Sequence, residues 1–226
     1  MDLIITSCSA RKDDTIPIPD GSKTVTPRYY LEDEELIRHL KDIRHQIFQD
    51  PRARLGTQTT YAFDLYVRAG NAYKDLREHN YEPLKSMLFS GEIEWFFLSG
   101  GYGIIYALEP AKKYQATFNR NIAYQKNILF TANLWKEMLP EICDEIISKL
   151  NPEHVYAFGS RDYTNFIKQT HFWRNRDSLQ ICFKIFESTG SAGPYWLSPI
   201  LNELVNSILR DNINTFNKKH APFVKQ

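Results

Sequence analysis

Two carboxylates, Glu109 and Asp162, each follow a short turn of small residues: Ser99-Gly100-Gly101-Tyr102-Gly103 before the first and Gly159-Ser160-Arg161 before the second. A carboxylate placed there can act as a general base or stabilise a developing cation, while the turn's N–H groups and hydroxyls hold an anion. Ser7-Cys8-Ser9 and Ser188-Thr189-Gly190-Ser191-Ala192-Gly193 are turns of the same kind. Ser7, Cys8, Ser9, Ser99, Ser160 and Ser191, with the backbone of Gly100, Gly101, Gly103 and Gly193, are therefore candidates for gripping phosphate. Arg11, Lys12 and Arg161 would add positive charge, and Tyr66, Tyr102 and Tyr114 could stack on a base or bond to its edge.

Plainer roles compete with several of these. Tyr66 lies on an apolar helical face, which suits a core residue. Asp162, two residues beyond Ser160, fits the first turn of a helix, where an acid is favoured. Cys8 has no sequence-adjacent His to activate it, so a small residue at a buried edge competes with a nucleophile. Asp64 can orient a neighbour or pair with Arg68 at i+4. His154 and His171 lack metal-ligand partners at usable spacing, so neither a metal nor a cofactor is expected. No Gly-x-x-x-x-Gly-Lys-Ser/Thr loop and no Gly-x-Gly-x-x-Gly order occurs, which excludes the P-loop and dinucleotide-binding readings.

The elements that must position these residues are readable from apolar runs. Leu3-Ile4-Ile5, Ile93 to Leu98, Val155-Tyr156-Ala157-Phe158 and Leu179 to Phe186 read as four short buried strands, each emptying into one of the four turns. Helical spacing fills the intervals: Leu31 to Phe48, about Thr59 to Arg77, about Ile122 to Leu150 with Pro140 kinking or dividing it, and a run from Ile200 to Leu209. Strands separated by helices imply a mostly parallel or mixed sheet flanked by helices, with all four turns on one edge and one cleft between them. The loop up to about Pro27 is long enough to be a mobile lid, and the tail from about 212 to 226 is polar and read as loosely held.

With 226 residues and 42% hydrophobic content, the chain can bury one core, so a single α/β domain over 1–226 is expected, with a helical insertion at about 28–50. Cys8, Cys143 and Cys182 fit neither a disulfide framework nor a metal site and point to a reducing compartment. No basic leader opens the sequence and no apolar run approaches the roughly 18 residues of a membrane span, so a cytoplasmic protein without a membrane partner is expected. The 28 Lys and Arg nearly balance the 27 Asp and Glu, for a formal net charge of +1, so only the distribution of charge bears on nucleic acid.

The combination of Leu3 to Lys12, Asp64-Leu65-Tyr66, Leu98 to Ile105 with Glu109 and Tyr114, and Ser160-Arg161-Asp162-Tyr163 resembles the YaaA family of peroxide-stress proteins. The order agrees and the blocks span most of the chain. Two departures stand out: the family's lysine- and arginine-rich turn before its last helix is replaced by Ser188 to Gly193, and Leu31 to Phe48 looks inserted. The resemblance implies an α/β fold with a positively charged DNA-binding cleft, distantly similar to uracil-DNA glycosylases. It thereby implies a DNA partner and a glycosylase that hydrolyses the N-glycosidic bond of a damaged or modified base, leaving an abasic site, with anti-phage defence as one setting. Such a reaction needs a base pocket, stacking aromatics, phosphate-gripping donors and a carboxylate, here Glu109 or Asp162. The alternatives are a YaaA-like DNA-binding stress protein without catalysis and an N-glycosidase acting on free nucleosides or nucleotides.

Overall fold

Leu3-Ile4-Ile5 and Trp95-Phe96-Phe97 lack polar alternation, and all six are fully buried, as strands covered on both faces must be. The computed structural model describes residues 1–179, 181–188 and 193–220, with backbone only at 193–195. Its main sheet contains β1 (Asp2–Ser7), β2 (Glu94–Ser99), β3 (Gly103–Tyr106), β4 (His154–Ser160) and β5 (Cys182–Ser188). Their spatial order is β3-β2-β1-β4-β5, and only β2 and β3 run antiparallel. The four strands expected from the apolar runs are the four parallel ones. The architecture is α/β, a mostly parallel sheet flanked by helices.

The helices that frame the sheet edge are α1 (Glu34–Gln49), α2 (Ala62–Val67), α3 (Tyr81–Ser90), α4 (Arg120–Lys126), α5 (Met138–Leu150), α6 (Arg161–Lys168), α7 (Gly193–Leu209) and α8 (Ile213–Lys219). On one face Tyr156 and Phe186 meet Phe216 of α8, and on the other Phe183 meets Trp173, which follows α6. From β1 the chain crosses to β2 on one side, and later places β4 and β5 on the other. The strand order therefore reverses between β1 and β4, and at such a reversal the loops diverge to opposite faces and leave a crevice beyond the strand ends.

Several elements differ from expectation for local reasons. Gly103, read as the last residue of the turn after the second apolar run, opens the edge strand β3, to which no element was assigned, and β3 is returned on β2 by a tight turn with Ser99 opposite Gly103. The segment from Thr59 begins as a strand, Thr59–Tyr61, paired antiparallel with Pro110–Lys112, before α2 starts. The pattern from Ile122 to Leu150 divides into α4, a short turn at Ala132–Trp135, and α5. Pro140 neither kinks nor splits α5, because it sits in the first turn, where no N–H is needed. The tail is docked as far as α8, with Phe216 only 1% exposed, and positions 221–226 lie outside the described residues. The long first loop is tied down by Asp13 N donating to Leu65 O at 2.9 Å and Tyr61 Oη donating to Lys23 O at 2.8 Å.

Candidate functional site

The Ser99 to Gly103 turn faces inward, which corrects its expected role as a phosphate grip. Ser99 is fully buried, its Oγ 2.6 Å from Tyr114 Oη, 3.3 Å from Tyr66 Oη, and accepting from Tyr102 N at 3.0 Å. Its hydroxyl has no free surface. A Cβ on Gly100 would lie 2.6 Å from the backbone of Ala116 and Thr117, and the Gly100 carbonyl accepts from Thr131 Oγ1 at 2.7 Å. Gly103 has φ +71 and packs on the Trp135 ring, while Gly101 lies against the Tyr114 ring. These glycines serve close packing of the chain on itself. Tyr102 is likewise buried, and burial pushes its phenol up to about 12.

Glu109 is placed deeper than a catalytic base beside a cleft would be. Arg44 of α1 donates to it through Nη1 at 2.5 Å, and Tyr30 Oη donates to its other oxygen at 2.9 Å. The guanidinium also reaches Tyr102 O at 2.9 Å and Ile104 O at 2.6 Å, so it ties α1 to the β2–β3 turn. Burial opposes the charge of Arg44, but Glu109 and Tyr30 together outweigh it and raise the guanidinium above its usual value. Tyr30 is raised well above its ordinary range by burial and by Glu109. Both lone-pair sides of the carboxylate are thus engaged, and the pair is structural. Arg44 escaped sequence reasoning, although it interrupts the buried stripe Ile37, Leu40, Ile47 at helical spacing, which was the signal available.

A different set of residues meets where β1 and β4 end. Ser7, Cys8, Ser9 and Lys12 from β1 and its loop, and Ser160 and Asp162 from β4 and α6, are half-buried, whereas the Ser99 turn is sealed. Ser7 packs directly on Gly159, where an added Cβ would come within 3.1 Å of Ser7 Cβ. Ser160 occupies the N-cap position of α6 without a side-chain cap, and neither its hydroxyl nor that of Ser7 has a hydrogen-bond partner among the described residues. Both remain available to a ligand.

Asp162 is oriented from a neighbouring segment. Asn119 donates Nδ2 to Asp162 Oδ2 at 2.5 Å while its Oδ1 caps α4 by accepting from Ile122 N at 2.8 Å. Asn119 N in turn donates to Thr117 Oγ1 at 3.1 Å, which lies 3.4 Å from Tyr163 Oη, and Cys8 Sγ stands 3.7 Å from the same phenol. One chain of polar contacts thus runs from the β1 end to the carboxylate. Tyr163 belongs to the Ser160-Arg161-Asp162-Tyr163 block of the resemblance, whereas Asn119 and Thr117 were not singled out; the Asn-Arg-Asn start of α4 was the readable sign of a cap.

Lys12 donates to Ser9 O at 2.9 Å and lies over the Tyr114 ring at 4.2 Å. Burial lowers its ammonium, Cys8 opposes that, and Lys113 and Lys126 lower it further. Burial, with Cys8 next in weight, raises the phenols of Tyr66, Tyr114 and Tyr163 well above their usual range. Tyr66 and Tyr114 are buried, 3.1 Å apart through their hydroxyls, and form a wall behind the lysine rather than an open stacking surface.

Charge at the outer rim is largely paired. Arg161 is exposed and donates Nε to Glu187 at 3.1 Å, with Lys168 on the other carboxylate oxygen at 2.5 Å. Burial opposes ionisation of Glu187, yet the hydrogen bonds from Lys168, Thr164 and Arg161 hold its carboxyl down at about 2. Arg11 reaches Asn71 Oδ1 at 3.4 Å. Asp64 is buried against Lys85 at 2.9 Å and Tyr81 Oη, while Arg68 pairs with Asp13 at 3.3 Å, so the i+4 pairing does not form. Gly193 begins α7, and Ser191 lies outside the described residues. Among the described residues no cluster of His, Cys, Asp and Glu could hold a metal, and no helix is long and apolar enough to cross a membrane. Compared with protein-family models and with curated proteins, the sequence matches none.

Proposed function

We propose that the protein is an N-glycosidase acting on nucleic acid, with Asp162 as the carboxylate that positions water or stabilises the sugar cation. The observation that carries this reading is the meeting, where β1 and β4 end, of an oriented carboxylate with two hydroxyls that have no hydrogen-bond partner and a lysine that has no carboxylate partner among the described residues. The Ser7–Gly159 and Cys8–Tyr163 contacts join the two segments. Hydroxyls and helix N–H groups suit a phosphate, and a carboxylate beside them suits a reaction whose transition state carries positive charge on a sugar. Lys113, itself 3.9 Å from Asp14, and Lys126 are close enough to lower Lys12 and add positive charge beside it, which suits a phosphodiester. The resemblance to YaaA proteins and, more distantly, to uracil-DNA glycosylases favours DNA as the substrate and a damaged or modified base as the leaving group.

Because Arg44 engages Glu109, the catalytic role assigned jointly to Glu109 and Asp162 narrows to Asp162. The test is incubation with unmodified DNA and with DNAs carrying modified bases, followed by alkaline cleavage at abasic sites. Asp162→Asn should lower base release by on the order of 100-fold or more while salt-dependent binding persists. Binding without abasic sites on any of these DNAs would leave the non-catalytic DNA-binding reading. Base release from free nucleosides without salt dependence would point to a small substrate.

A further inference from the structure

We propose that Lys12 is an amine nucleophile that captures an aldehyde at the carboxyl end of β1, forming an imine with the sugar of an abasic site. The proposal rests on the N-glycosidase reading for the source of that aldehyde, since base loss leaves a deoxyribose that opens to a C1′ aldehyde.

Lys12, Lys85 and Lys184 differ in what meets the amine. Lys85 is neutralised by both oxygens of Asp64, at 2.9 and 3.1 Å. Lys184 is locked by two carbonyls at the end of α8, Asn217 O at 2.6 Å and His220 O at 2.8 Å. Lys12 has one carbonyl, Ser9 O, and the face of Tyr114, and no carboxylate among the described residues pairs with it. The charged or titratable groups around it are Cys8, Tyr114, Lys126 and Lys113, the last 3.9 Å from Asp14. A desolvated amine facing other cations is the arrangement that keeps part of a lysine population neutral and nucleophilic. Unlike the other two, Lys12 stands beside the half-open Ser7 to Ser9 segment, where a phosphate flanking the sugar would be held.

The step balances without a redox partner. The Nζ lone pair forms a C–N bond at C1′, the carbonyl oxygen takes up both amine hydrogens and leaves as water, and a C=N bond remains. Borohydride then delivers hydride to the imine carbon and fixes the link as a secondary amine.

The experiment uses the full chain with a preformed abasic oligonucleotide, and separately with glyceraldehyde 3-phosphate, each with and without borohydride, and maps adducts by peptide mass. The expected result is a borohydride-dependent adduct on Lys12. Lys12→Arg, which keeps the positive charge but cannot form the imine, should reduce trapping by on the order of 100-fold at saturating abasic DNA, where any loss of affinity does not enter. Trapping in the native chain should rise with pH at a midpoint below that of free lysine. An adduct on Lys113, Lys126 or the N-terminus, or none on either probe with the protein folded, overturns the proposal. Trapping on preformed abasic DNA without base release from intact DNA would support Lys12 capture and count against the glycosidase reading alone.

Discussion

Two polar regions of this molecule look alike in sequence and differ in what they have left to offer. Around the β2–β3 turn, all of Ser99, Tyr114, Arg44, Glu109 and Tyr30 are buried; Ser99 bonds to Tyr114, Glu109 to Arg44 and Tyr30, and the Tyr102 backbone joins the two sets. At the β1–β4 edge, among the described residues, the hydroxyls of Ser7 and Ser160 have no partner, Asp162 has one oxygen bonded to Asn119, and no carboxylate pairs with Lys12. A buried polar group without a partner is costly, so the first region had to close on itself; a half-exposed group is served by water until a ligand replaces it. Small residues after a strand therefore signal close approach of something, and the topology decides whether that is the chain itself or a ligand. Here the antiparallel return of β3 brings the β2 end against the chain itself, while the strand order reverses between β1 and β4, the place where such sheets leave room for a ligand.

The contrast breaks hardest at the buried pair. Arg44→Met leaves Glu109 buried without its cation and two backbone carbonyls without their donor, and should cost about 3–5 kcal/mol in chemical denaturation. Adding Glu109→Leu should recover only part of that, because Tyr102 O and Ile104 O stay unpaired at about 1–3 kcal/mol each. Full recovery would mean the carbonyl bonds contribute nothing. Next in size is Gly103→Ala, which forces a left-handed φ of +71 on an L residue and presses a methyl into Trp135, for on the order of 3 kcal/mol. Gly21→Ala is its control: φ is +75, nothing lies within 4 Å, and about 1–2 kcal/mol is expected.

What was legible beforehand divides along the same line. The parallel strands could be read because Leu3 to Ile5 and Trp95 to Phe97 are apolar on both faces, and the shared edge followed from the helices between them. The β3 return could not, since Gly103-Ile104-Ile105-Tyr106 is too short for periodicity to separate a strand from a loop. Glu109 read as catalytic because its position after the glycine turn was visible, whereas the cation that engages it comes from Arg44, 65 residues away in sequence. Asp162 carried the opposite ambiguity: its place in the first turn of α6 was legible, and the side chain that orients it, Asn119, was not.

At the rim, acid should separate the two regions. Glu187 is held down at about 2 in the folded state against an ordinary glutamate near 4.5, so the stability it contributes is present above pH of about 4.5 and is lost as pH falls towards 2. Glu187→Gln should therefore flatten the loss of stability across that window, read by thermal melts at several pH values, and change little near neutrality beyond the loss of the ion pairs with Lys168 and Arg161. A melt that keeps its full acid slope after this substitution would place the titrating group elsewhere.

The smallest expected change in stability is the most discriminating for function. Ser7→Ala and Ser160→Ala remove hydroxyls with no partner in the described structure, so each should alter unfolding by about 0.5 kcal/mol or less. Ser99→Ala, which strips a fully buried hydroxyl from two phenols and the Tyr102 N–H, should cost about 1–3 kcal/mol. Nucleic-acid affinity should order the same variants the other way, weakened by Ser7→Ala and Ser160→Ala and unmoved by Ser99→Ala once the protein is folded. If instead Ser7→Ala destabilises as strongly as Ser99→Ala, its hydroxyl serves the fold after all, and the β1–β4 edge loses the property that distinguishes it from the sealed turn.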